Sequence, residues 1–131
     1  MEELDHDELI TQLRGVQYIV INRSFGGFSL SREATLLYLE LSGTAYTFEP
    51  QEDRDTQNRL GDKIMVNGEE FWHRDIPRDD PALVATVRRL GSDADGEYAT
   101  LKVVEVPAGV EWFVDEYDGK EWVAEVHRTW R

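Results

Sequence analysis

In a chain that carries 27 acidic side chains against 14 lysines and arginines, the chemistry most worth following belongs to the minority cations beside aromatic rings. Arg23 precedes Phe25 by two residues, Arg74 follows Trp72 and His73, and Arg128 lies between His127 and Trp130. A guanidinium is a rigid planar fork of donors that matches carboxylate and phosphate and also stacks on aromatic faces. Ring and fork together suit a planar anionic ligand such as a nucleotide. The structural alternative is that each arginine pairs with one of the many nearby acids. A second candidate is the run Arg23-Ser24-Phe25-Gly26-Gly27-Phe28-Ser29-Leu30-Ser31. Two glycines between two phenylalanines permit a backbone path closed to other residues, and a helix start behind such a turn can bind an anion through its free N–H groups. The turn has a structural reading too, a tight strand-to-helix connection in which both phenylalanines plug the core. It matches neither G-x-G-x-x-G nor G-x-x-x-x-G-K-S/T. The candidate ligand-binding set is therefore Arg23, Phe25, Gly26, Gly27, Phe28, Arg74, His127 and Arg128.

Other chemistry finds less support. His6, His73 and His127 are the only histidines, none at metal-ligand spacing with another, and no loop-metal pattern occurs. No metal or cofactor is expected. Asp115, Glu116, Asp118, Glu121 and Glu125 are close enough in sequence for acid–base work, but in so acidic a chain they read as solvated surface. There is no G-x-S-x-G elbow, and the absence of cysteine removes disulfides and thiolate catalysis. The formal charge of −13 disfavours nucleic-acid binding through phosphate neutralisation. Only Lys63, Lys102 and Lys120 are lysines, a composition expected either of a protein in concentrated salt or of a high-GC genome. No apolar run reaches the ~20 residues of a membrane span, and the acidic start MEELDHDELI is unlike a signal peptide. The protein is expected to stay where it is made, in the cytoplasm.

The elements that must position these residues are legible from periodicity. At 131 residues the chain is expected to form one domain, with 1–15 as an N-terminal helix or arm and 16–131 as an α+β core. Leu9, Ile10 and Leu13 fall at helical spacing. Val16 to Asn22 is a nearly continuous β-branched and aromatic run, which predicts a central strand buried on both faces. Ala34, Leu37, Tyr38 and Leu41 mark a helix over Arg32 to Ser42, closed by Gly43. Thr44 to Asp62 reads as a mobile loop or insertion. Asn67-Gly68 signals a hairpin. Asp80-Pro81 starts a second helix with Leu83, Val84, Val87 and Leu90 as its stripe and Gly91 beyond. Tyr98 to Val106 suggests another buried strand. The prediction is a mixed or antiparallel sheet with two helices packed on one face.

The C-terminal stretch is a β-hairpin around Asp118-Gly119, a pair that supplies the two positive-φ positions of a type I′ turn. With those as loop residues, Tyr117 faces Lys120, Asp115 faces Trp122, Phe113 faces Ala124 and Glu111 faces Val126. Parity then groups Phe113, Tyr117, Trp122, Ala124, Val126 and Trp130 on one face, taken as the core side. Glu116, Glu121, Glu125 and His127 fall on the other, with Trp112, Val114 and Val123.

The turn Phe25 to Ser31, the helix start Arg78 to Pro81, the strand Leu101 to Pro107 and the hairpin Tyr117 to Trp130 together resemble a family of small proteins encoded by tailed phages and prophages. Its members show an aromatic-Gly-Gly-Phe-x-Leu-Ser turn, an R-x-D-P helix start, an L-K-x-V-E-x-P strand and a Y-D-G-x-E…E-x-H-R-x-W hairpin. The resemblance spans about two thirds of the chain and leaves out the N-terminal extension and Gln51 to Asp62. It implies a viral or proviral origin and supplies no mechanism. With the chemistry above, the expected function is a non-enzymatic viral accessory protein that binds a host factor or a small nucleotide-type ligand, for instance in counter-defence. The alternatives are a virion component, such as a capsid decoration or head–tail protein, and a nucleotide-processing enzyme acting through His127. Homo-oligomerisation is a further expectation, from the aromatic residues of the hairpin.

Overall fold

The computed structural model describes residues 15–50 and 62–126. The segment expected to be an N-terminal helix or arm, apart from Gly15, most of the polar stretch after Pro50, and His127, Arg128 and Trp130 lie outside the described residues.

Strand β1 (Val16–Asn22) pairs antiparallel with β5 (Leu101–Pro107), Val20 opposite Val103. Successive residues point to opposite faces, yet Ile19, Val20, Ile21 and Asn22 are all buried. The continuous apolar run therefore marks a strand covered on both faces, as expected, but not a central one: among the described residues β1 pairs with a strand, β5, on one edge only.

On one side Val20 joins a cluster formed by helices α1 (Arg32–Leu41) and α2 (Pro81–Leu90), including Ala34, Tyr38, Leu39, Leu83, Val84 and Val87. Both helices start where the sequence signals them. Ser31 Oγ accepts the Ala34 N–H at 3.1 Å, and Asp80 Oδ1 accepts the Ala82 N–H at 2.9 Å with Pro81 at the first helical position. Asp80 also accepts the Tyr38 hydroxyl at 2.8 Å, so one cap ties the two helices together. Gly43 and Thr44 close α1 with N–H groups donated to Glu40 and Leu39 carbonyls.

The segment after α1 is more ordered in type than a loop reading allows. Thr47–Glu49 forms β2, which pairs with β3 (Lys63–Val66), and β3 pairs with β4 (Glu69–Glu70) across Asn67-Gly68. Asn67 and Gly68 both have positive φ, as the I′ turn requires. Beyond Glu70 the chain leaves the ladder and forms a 3₁₀ turn over His73–Asp75.

The other face of β1 is covered by the hairpin β6 (Trp112–Tyr117) and β7 (Lys120–Glu125). Among the described residues the strands thus form three antiparallel sheets, β1-β5, β2-β3-β4 and β6-β7, and the fold is α+β with a C-terminal β-hairpin. The hairpin register is the one parity gives, with Asp118 and Gly119 at positive φ. Its inward face is the reverse of the expected one. Phe113, Tyr117, Trp122 and Val126 are 44%, 72%, 43% and 47% exposed, while Trp112, Val114, Glu121 and Val123 turn inward. Parity decides which residues share a face and says nothing of which face is covered. Here the inward set wins because its polar members are satisfied. The Trp112 indole donates to Gln17 Oε1 at 3.0 Å, and Glu121 meets the half-buried Arg78.

Candidate functional site

The Phe25 to Ser31 turn is built around a crossing of two backbones. Gly26 and Gly27 have φ of 114° and 94°, and the tip of the β6-β7 hairpin lies directly on them. A Cβ on Gly119 would sit 2.4 Å from the Gly27 nitrogen, and one on Gly26 would sit 2.8 Å from the Tyr98 Cβ. Buried Asn22 fastens the crossing. Its amide donates to the Ser24 and Gly119 carbonyls at 2.7 and 2.8 Å, and its Oδ1 accepts the Thr100 N–H at 2.8 Å. The two phenylalanines do different things. Phe25 is exposed, with the Lys120 ammonium 5.8 Å from its ring centre. Phe28 packs on the core, the Arg78 guanidinium 3.7 Å above it.

Arg78 is the residue that sequence neighbours did not reveal. It makes a two-pronged contact with Glu121, Nη1 to Oε1 at 2.5 Å and Nη2 to Oε2 at 2.8 Å, and that carboxylate also accepts the Asn22 N–H at 2.8 Å. The Glu121 side chain is 9% exposed. Charge, ring and backbone donor thus close a buried knot between α2's approach, β1 and β7. Glu121 serves the fold rather than a solvated surface. Asp115 and Glu116 cap the hairpin turn through the Glu116 and Gly119 N–H groups.

Those of the expected ligand-binding residues that the structure describes fall into two places. Arg23 and Phe25 lie beside the hairpin; Arg23 is exposed and its N–H continues the β1-β5 ladder to the Thr100 carbonyl. Phe28 and the His73–Arg74 turn come together, with Phe28 and His73 ring centres 6.0 Å apart and Arg74 stacked 5.5 Å over Trp72. Burial pulls the His73 pKa below its ordinary value of 6.5, its hydrogen bond to the Phe28 backbone opposes this, and Arg78 and Arg74 reinforce it. The shallow groove here, about 430 Å³, mixes Arg32, Lys63, Glu70 and His73 and so offers no consistent charge.

A larger cleft of about 760 Å³ opens between β1 and α2. Its walls are Val16 and Tyr18 from the strand and Pro81, Val84, Arg88 and Arg89 from the helix, with Asp79 at one end. The Arg88 guanidinium lies 4.1 Å over the Tyr18 ring. Arg88 and Arg89 are exposed, and among the described residues the only ion pair is Arg78–Glu121. Ring plus guanidinium is the pairing anticipated above, on partners 70 positions apart that sequence adjacency could not join. The one available signal was the pair Arg88-Arg89 itself, which at a helix C-terminus reads as a match to the helix dipole. Among the described residues no cluster of three histidines or acids could hold a metal ion. No family model matches the chain, and neither a curated protein nor a solved structure proves similar to it.

Proposed function

We propose that this chain is a non-enzymatic binding module, a viral accessory protein that captures an anionic host factor or nucleotide-type ligand in the cleft between β1 and α2. One observation carries the reading: in a chain of charge −13, a cleft of about 760 Å³ is walled by Arg88 and Arg89, with Arg88 stacked on Tyr18. A guanidinium held on a ring keeps its donor edge free for carboxylate or phosphate. Two of the acids considered for acid–base work are held by the fold, Glu121 by Arg78 and Glu116 by the hairpin turn.

The test is calorimetric titration of the protein and its Arg88→Ala variant with nucleoside mono- and diphosphates and with acidic peptides. Saturable binding of at least one of these is expected, weakened about tenfold or more in the variant, whose melting temperature should stay the same because Arg88 is exposed. Failure of every anionic probe, or binding indifferent to Arg88, would remove the proposal. The virion alternative draws on one feature, the outward aromatic face of Phe113, Tyr117 and Trp122, which suits contact with another subunit. Presence of the chain in purified particles would favour it.

A further inference from the structure

The direction of the amides along β1 specifies what the cleft can hold. Backbone N–H and C=O groups alternate in direction along a strand. The Arg23 N–H points to β5's extension at Thr100, whereas the Val20 N–H points the other way, to the Arg78 carbonyl at 2.8 Å. Asn22 also turns its N–H to that second edge, where Glu121 takes it. Even-numbered residues of β1 therefore present their backbone groups to the edge away from β5, and this includes Val16 and Tyr18. Val20 is served twice by Arg78, since its carbonyl also accepts the Arg78 guanidinium at 3.3 Å. Immediately afterwards Asp80-Pro81 turns the chain into α2, whose own amides are spent within the helix. Among the described residues, no backbone group pairs with Val16 or Tyr18 on this edge.

A strand edge that no described residue pairs, beside a cleft, is a template for one more strand. The walls define its chemistry. Arg88 and Arg89 stand over this edge on the helix side, and side chains of an added strand reach one side at every second position. Building on the proposal that the cleft binds an anionic partner, we propose that the β1 edge from Val16 to Tyr18 receives an extended acidic segment of a partner protein as an added strand. Its backbone pairs with Val16 and Tyr18, and alternate carboxylates meet Arg88 and Arg89. Backbone pairing supplies the alignment and the arginines select for charge. The rest of the surface opposes the approach of an acidic partner at low salt, and that repulsion is screened over a Debye length of about 8 Å at physiological ionic strength, while the short arginine contacts persist.

The experiment uses the full chain and a synthetic eight-residue peptide, capped at both ends, alternating glutamate with valine. Two further versions carry N-methyl groups on alternate amides, of one parity or the other. Amide exchange and chemical shifts of Val16 and Tyr18 are followed by NMR, and affinities by calorimetry. Slowed exchange at Val16 and Tyr18 is expected, with one methylation parity weakening binding tenfold or more and the other leaving it nearly unchanged. Replacement of glutamate by glutamine in the peptide, or Arg88→Gln in the protein, should produce a similar loss. Equal sensitivity to both parities, or unchanged Val16 and Tyr18 exchange, overturns strand addition. Nucleotide binding that depends on Arg88 without peptide binding overturns it too, yet leaves the anion-binding reading intact; loss of all anionic binding removes both. A concentration-dependent dimer that protects the Tyr18 amide without peptide would assign the edge to a second copy and also overturn it.

Discussion

A buried charge is tolerable only with its partner, which makes Arg78 and Glu121 the most informative residues to change. Arg78→Ala leaves a carboxylate with 9% exposure facing only the Asn22 N–H, and a loss of about 3–5 kcal/mol is expected in urea denaturation. The tryptophans give a second contrast. Trp122→Ala, on the outward face, should cost about 1 kcal/mol, while Trp112→Ala, which also strands the Gln17 carbonyl, should cost about 3 kcal/mol. Tyr38 tests the helix-to-helix cap. Burial, with the Asp80 hydrogen bond and charge behind it, pushes its hydroxyl up to about 12 from an ordinary 10.0. The folded value lies above the unfolded one, so this contribution to stability is complete below pH 10 and fades as pH rises towards 12. Absorbance titration should show a tyrosine titrating near 12 that Tyr38→Phe removes, together with about 1 kcal/mol of stability at neutral pH. For His73 the sign reverses: its folded pKa is depressed, so its contribution is present above about pH 6.5 and is lost as pH falls through the folded value. An NMR titration should place its midpoint below 6.5. None of these partnerships was readable from neighbours in sequence, since Arg78 is 43 positions from Glu121 and Tyr38 is 42 from Asp80.

Elements were far more legible than contacts, because their signals are local. The Ala34, Leu37, Tyr38 and Leu41 spacing announced one helix and Asp80-Pro81 the start of the other, Asn67-Gly68 and Asp118-Gly119 announced hairpin turns, and unbroken apolarity announced β1; each depends on a few adjacent residues and elementary sterics. The orientation of the hairpin was not legible. Both of its faces carry aromatic and aliphatic residues, and what decides between them is a distant arginine and a distant glutamine. The Phe25 to Ser31 turn failed to disclose its role for the same reason: glycine marks close approach without naming what approaches. A comparison of two turns isolates that approach. Gly68→Ala, at φ 79° with open space around it, should cost about 1 kcal/mol for the positive φ alone. Gly119→Ala, at φ 86° and against the Gly27 backbone, should cost about 2–4 kcal/mol because the clash adds to it. Equal costs measured by denaturation would mean that the hairpin tip can lift away from the turn without loss.

Across the molecule, a charge of −13 works against compaction, and the apolar layers on both faces of β1 hold it together. Raising salt screens the repulsion and strengthens burial, so the melting temperature should climb steadily from about 0.05 to 1 M sodium chloride; a flat response would mean that the acids are already neutralised by local pairing. The strand at the centre of those layers also fixes the order of events during synthesis. Asn22 waits for Gly119, 97 residues later, and a ribosome adding about 5–20 residues per second needs roughly 5–20 s to supply it. The helical cover of the segment Val16–Asn22, two-sided and apolar, is complete once Leu90 is made, but throughout that interval its other face lacks the finished hairpin. The first strand made is thus the last to be sheltered, and it is the stretch on which a nascent-chain chaperone would be found.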